Sequence, residues 1–134
     1  MMSVKKDKLG DVVLILTTID IASRKPITNL VEYEEMMGDF YIVASRSSPA
    51  EWIRNISSNP WVDAHVKGKK LHALAEPIFD SPRIAAYFES RLAKGSSIVQ
   101  SLIRTHGLPR KPTRVQLEAL AGRITLFILR PTKK

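Results

Sequence analysis

Ala44 to Trp52 reads A-S-R-S-S-P-A-E-W, and its residue types suit an anion. The spacing predicts Ser48 as a helix N-cap, Pro49 in the first turn and Glu51 three residues after the cap, which is a capping box. Ahead of that cap, Ser45, Arg46 and Ser47 bring two hydroxyls and a guanidinium towards the exposed amides of a helix start. A phosphate or another oxyanion is the ligand that such a place favours. The same residues also describe a plain capped surface helix with one solvated arginine, and both readings stand at this point.

Other chemistry finds less support. The chain has no cysteine, so disulfide scaffolds, thiolate metal sites and cysteine nucleophiles are excluded. His65 and His72 fall on neighbouring strands, but no carboxylate spacing completes a metal site, and none is expected. Nucleophile elbows, P-loops and G-x-G-x-x-G turns are absent, and Asp63 with a histidine and a serine is available without any spacing that motivates it. Paired catalytic carboxylates lack a spacing argument too, so no catalytic side chain is assigned. The basic tract from Arg104 to Arg114 contains no aromatic residue on which bases could stack, and a solvated connection is its simpler reading.

The elements that must position the Ser45–Trp52 stretch follow from periodicity. Asp11 to Thr18 is a continuous apolar, β-branched run expected to be buried on both faces. Asp20 to Lys25 breaks it, and Pro26 returns the chain to extended structure. Ile27 to Tyr33 is a second strand, Glu34 to Asp39 a loop and Phe40 to Ser45 a third strand, in the order of an antiparallel meander. A helix then runs from about Pro49 to Ser58, with Trp52, Ile53 and Ile56 apolar, and Asn59-Pro60 stops it. Trp61 to Lys67 and Lys70 to Ile78 form a hairpin across Gly68-Lys69. Ser81-Pro82 opens a helix to about Lys94, Ser97 to Thr105 is another, and Thr113 with Gln116 caps a short one ending near Ala121. Arg123 to Leu129 closes the chain as a buried strand.

The 134 residues suit one domain over residues 1–134, with residues 1–10 as a flexible N-terminus. No apolar run nears the ~20 residues of a membrane span, and no small-residue cleavage site follows the lysine-rich start, so a cytoplasmic protein is expected. The net charge of +8 gathers after Lys67, where only Glu76, Asp80, Glu89 and Glu118 oppose a long basic series. Such a half suits a nucleic acid, a membrane surface or a polyanionic small molecule. The fold class is α+β: a six-stranded, mostly antiparallel sheet closed or half-closed into a split β-barrel, with flanking helices.

Leu14 to Thr18 (L-I-L-T-T), Pro26 with Asn29, Gly38 to Ser45 (G-D-F-Y-I-V-A-S), Trp52 with Asn55, Asn59-Pro60, Val62, Gly68 and the closing R-I-T-L-F-I-L-R-P form an ordered series. This series resembles the deazaflavin-dependent nitroreductases and quinone reductases, split-barrel proteins related to FMN-binding flavoproteins. The resemblance implies coenzyme F420, a deazaflavin with a phosphate and an acidic tail, whose reduced form gives hydride to quinones, nitroaromatics or similar acceptors. It implies that Arg24, Lys25 and Pro26, with Asn29, and then Ser45, Arg46, Ser47 and Ser48 hold the cofactor, with Trp52 and Asn55 beside the ring. It also implies a homodimer. The family turn typically reads G-R-K-S-G before its proline, whereas this chain has Asp20-Ile21-Ala22-Ser23-Arg24. FMN is the alternative cofactor, and a non-enzymatic basic β-barrel module binding nucleic acid or protein is the alternative function.

Overall fold

The computed structural model describes residues 13–132; the expected flexible N-terminus and the first residues of the first strand lie outside them. Seven strands are present among these residues: β1 (Val13–Ile19), β2 (Pro26–Glu32), β3 (Glu34–Met36), β4 (Asp39–Ser45), β5 (Trp61–Val66), β6 (Lys69–Ile78) and β7 (Ile124–Pro131). The helices are α1 (Glu51–Ser58), α2 (Ser81–Ala93), α3 (Ser97–Thr105) and α4 (Arg114–Ala119), followed by a 3-10 turn at Leu120–Gly122.

The described residues form two compact units, one of residues 13–43, 48–77 and 127–132, the other of residues 44–47 and 78–126. The first holds most of the sheet, whose strand order is β2-β1-β5-β6-β7-β4-β3. β1 pairs antiparallel with β2 and with β5, β5 with β6, and β3 with β4. The expected meander is therefore corrected, because β4 lies beside β7 and not beside β2. β2 and β3 end up at opposite edges of the sheet, yet only Tyr33 separates them in sequence. One residue spans less than ~4 Å, so the two edges must come together, and the sheet has to curl.

The seventh strand is the short β3, where the sequence suggested a loop. It is created by the Met37–Gly38 turn, with φ of 52° and 88°, the positive pair that a type I′ hairpin demands. Lys67 and Gly68 repeat this at 52° and 78°, so the β5–β6 turn sits one residue earlier than Gly68-Lys69. β1 alternates instead of being buried on both faces: Leu14, Leu16 and Thr18 face inward while Ile15 is 37% exposed. β7 does bury both faces through Leu129.

The second unit is helical. Asp80, not Ser81, caps α2, accepting from the Arg83 amide, with Pro82 inside the first turn. Both α2 and α3 end in Schellman motifs. Ser96 N–H donates to Arg91 C=O and Leu108 N–H to Ile103 C=O, with Gly95 and Gly107 at φ of 78° and 77°. Ser96 then caps α3 through Val99 N–H, and Thr113 with Gln116 forms the expected capping box on α4. Ile84, Phe88, Val99, Ile103, Leu117 and Leu120 make this unit's core.

Candidate functional site

In the sheet unit, the turn between β1 and β2 is built by Asp20. Its Oδ2 accepts from Ser23 N–H at 2.7 Å, its carbonyl accepts from Arg24 N–H at 2.9 Å, and its own amide donates to Lys25 C=O at 2.9 Å. Ser23 Oγ in turn accepts from Lys25 N–H at 3.2 Å. These bonds hold Arg24 at φ 62°, a conformation that few non-glycine residues adopt. They also lower the Asp20 pKa: the Ser23 amide and hydroxyl stabilise the carboxylate, with a smaller contribution from the Arg54 charge. Arg24, Lys25 and Pro26 all stand exposed, and neither cation meets a carboxylate among the described residues.

Helix α1 anchors this turn. Asn55 is 2% exposed, donates through Nδ2 to Thr18 Oγ1 at 3.0 Å, and accepts through Oδ1 from Ile21 N–H at 3.3 Å. Asn55 shares the buried face of the helix with Trp52 and Ile56, whereas Ile53, expected among the apolar positions, is only half-buried. Trp52 packs edge-on against Phe127, ring centroids 5.3 Å apart. Both side chains are thus engaged in holding the helix and the turn, and neither is an open wall. Asn29 differs. It lies on β2 opposite Leu16, and its Oδ1 is buried with no hydrogen-bond partner. A buried acceptor without a donor is costly and marks a place where a ligand donor fits.

The capping box expected at Ser48 does not form. The helix starts at Glu51 with Ala50 as N-cap and no side-chain cap, because Ser48 Oγ is already taken by Ala50 N–H at 3.2 Å. A serine bonded two residues ahead makes a local turn in competition with a cap.

The helical unit contains Ser45, Arg46 and Ser47. Ser45 Oγ lies 3.0 Å from Ser47 Oγ and accepts from Ser47 N–H at 3.3 Å. The Arg46 amide donates to Arg123 C=O at 2.8 Å, and its Nε to Ile124 C=O at 3.3 Å. The guanidinium carbon sits 5.2 Å from the centroid of the Phe79 ring. A carbonyl and an aromatic face thus hold the cation, while no carboxylate among the described residues pairs with it. Phe79 and the Arg123–Ile124 carbonyls were missed by sequence reasoning, and no local pattern points to them.

Other candidates stay ordinary. Tyr33 is buried, edge-on to Phe40. His72 stacks on Trp61 and lies 2.8 Å from Asp63, and among the described residues no group of three or more His, Asp or Glu side chains could hold a metal.

The curled sheet with its flanking helices is an α+β split β-barrel of the FMN-binding type. Solved structures share this fold: an F420-H2-dependent reductase at 20% identity, covering 88% of this chain and 93% of that one, TM-score 0.59. Another is an F420 reductase at 18% identity, covering 95% and 93%, TM-score 0.55. A third is a pyridoxamine 5′-phosphate oxidase-related, FMN-binding protein from Nostoc punctiforme at 13% identity, covering 94% and 73%, TM-score 0.61. No curated protein matches the chain in sequence. The model of the F420H2-dependent quinone reductase family matches residues 4–106, and the chain belongs to that family. It is therefore an oxidoreductase with coenzyme F420 as its cofactor. No helix among the described residues is long and apolar enough to cross a membrane.

Proposed function

We propose that the protein is a cytoplasmic, homodimeric oxidoreductase that uses reduced F420 to reduce a quinone, a nitroaromatic or a similar planar acceptor. The observation that carries the site reading is the Arg46 guanidinium, braced by Ile124 C=O and Phe79 and lacking a carboxylate partner among the described residues. Such a cation is pre-oriented for a phosphate oxygen, because little side-chain freedom is left to lose.

In this reading Arg46, Ser45 and Ser47 hold the cofactor phosphate. Arg24 and Lys25, in the sheet unit, are cofactor positions by the family resemblance, with Pro26 fixing the start of β2 and Ser48 ordering its loop. Asn29 Oδ1 supplies an acceptor for a ring N–H. Asn55 and Trp52 act by positioning the turn and the helix. When bound, F420H2 supplies a hydride that, with a proton from water, converts a quinone to its hydroquinone. Such a transfer requires orientation and water exclusion more than a protein acid or base, which agrees with the lack of an assigned catalytic side chain.

The homodimer rests on the outer face of the sheet. Ile15 is 37%, Leu30 73%, Trp61 43% and Leu74 39% exposed, and Ile15 pairs with Leu30 as Trp61 does with Leu74. A second copy is the occupant proposed for this apolar face. Sedimentation of the wild type and of Leu30→Glu reads it directly: a dimer converted to monomer is expected, and a monomeric wild type contradicts it.

Titration of the purified protein with F420, FMN and a short oligonucleotide, followed by assay of F420H2 oxidation with a soluble quinone, tests the function. Saturable F420 binding and quinone-dependent oxidation are expected. Salt-sensitive oligonucleotide binding with neither cofactor bound would instead favour the nucleic-acid module.

A further inference from the structure

The helical unit holds a cleft of about 810 Å³ lined by α2, α3, the connection after α3 and α4. That volume falls within the ~300–1,000 Å³ of small-molecule sites. Leu92, Leu108, Pro109 and Pro112 give it accessible apolar walls, and the buried Ile103 and Leu117 back them. Arg104, Arg110 and Lys111 also line it, and each is exposed with no carboxylate partner among the described residues. The one carboxylate in the lining, Glu89, is engaged by Arg114 Nη1 at 2.8 Å. The cleft thus sets apolar walls beside uncompensated positive charge.

Its walls are held in place. The Schellman bond from Leu108 N–H to Ile103 C=O sets the start of the connection, and Arg123 Nη1 donates to His106 C=O at 3.0 Å. At the far end the Thr113–Gln116 capping box and the Arg114–Glu89 pair fix α4 against α2. A connection tied at both ends presents Arg110 and Lys111 at a defined place. Residues after 106, which include this connection and α4, lie beyond the stretch that the family model matches.

We propose that this cleft binds a free single-chain amphiphile with an anionic head, the class of a fatty carboxylate. The apolar lining takes the chain, at about 0.8 kcal/mol per buried CH₂, and the three cations take the head. A nucleic acid fits poorly because no aromatic residue lines the cleft. A membrane surface would need protruding apolar side chains, whereas the buried Ile103 and Leu117 lie within a concavity. The proposal is independent of the F420 reading.

Calorimetric titration of the full chain with dodecanoate below its micelle concentration tests it, with hexanoate, dodecyltrimethylammonium, anionic phospholipid vesicles and an acidic peptide as further arms. The expected result is one dodecanoate per chain, binding weaker by about thirtyfold or more for hexanoate and undetectable for the cationic amphiphile. Combined Arg104→Gln, Arg110→Gln and Lys111→Gln substitutions should weaken dodecanoate by about tenfold or more while the melting temperature holds. Equal binding of the cationic amphiphile, no effect of the triple substitution, or binding of vesicles or peptide in place of dodecanoate overturns the proposal.

Discussion

Replacing Asn55 by alanine isolates the bond between α1 and the turn that carries Arg24 and Lys25. Asn55 makes two hydrogen bonds from a side chain only 2% exposed, to Thr18 Oγ1 and from Ile21 N–H. Each lost bond is worth about 1 kcal/mol net, and the Thr18 hydroxyl, left buried without its donor, adds roughly 1 more. The sum is about 3 kcal/mol, or roughly 10 °C in melting temperature for a chain of this size. Urea unfolding followed by tryptophan fluorescence measures it, since Trp52 is buried against Phe127. A double-mutant cycle with Thr18→Val should give a coupling of about 1 kcal/mol, and the Ile21 amide should exchange faster in Asn55→Ala. A melting change below about 2 °C, or no coupling with Thr18, would refute the clamp.

Further predictions concern single features. The Asp20 pKa is lowered on folding, so its carboxylate contributes stability that is present above the ordinary value of about 3.9 and is lost as pH falls through the folded value. Asp20→Asn, which keeps an acceptor oxygen, should flatten this acid limb in pH-dependent urea unfolding; identical limbs would count against it. Met37→Asn puts the favoured residue at the first positive-φ position of the β3–β4 hairpin and should raise stability by about 0.5–1 kcal/mol. Gly95→Ala forces a side chain onto φ 78° and should cost about 1 kcal/mol, while Gly122→Ala, at ordinary φ with open space around it, should be neutral or mildly stabilising. Thermal melts of the three variants against the wild type read these effects.

Much of the sheet and all four helices were legible because their signals are local. Ser97–Thr105 has the bounds that its spacing suggests, and Thr113 with Gln116 makes the capping box that its residues announce. β3 was not legible: it is three residues long, polar, and closed by a Met37–Gly38 turn without the usual asparagine or aspartate. Ser48 misled for a physical reason, since its hydroxyl meets Ala50 N–H before any helix amide. The sheet order was hidden as well, because strand propensity does not say which strand lies beside which. Within the candidate site the identities of Arg24, Lys25 and Arg46 were readable. What holds Arg46 was not, for its Nε partner lies 78 residues away. Burial of Asn55 was equally hidden, since a polar residue on a helix is expected to face water unless distant partners satisfy it.

The role proposed for Arg46 is that of a phosphate ligand for the deazaflavin cofactor. Its most direct test is the affinity of the wild type and of Arg46→Ala for F420 and for a phosphate-free deazaflavin, read by cofactor fluorescence. The wild type should prefer F420, and Arg46→Ala should lose about tenfold or more for F420 alone, as removal of a charge-assisted hydrogen bond implies, with its melting temperature nearly unchanged. An equal loss for both ligands, or no loss for F420, would contradict the assignment.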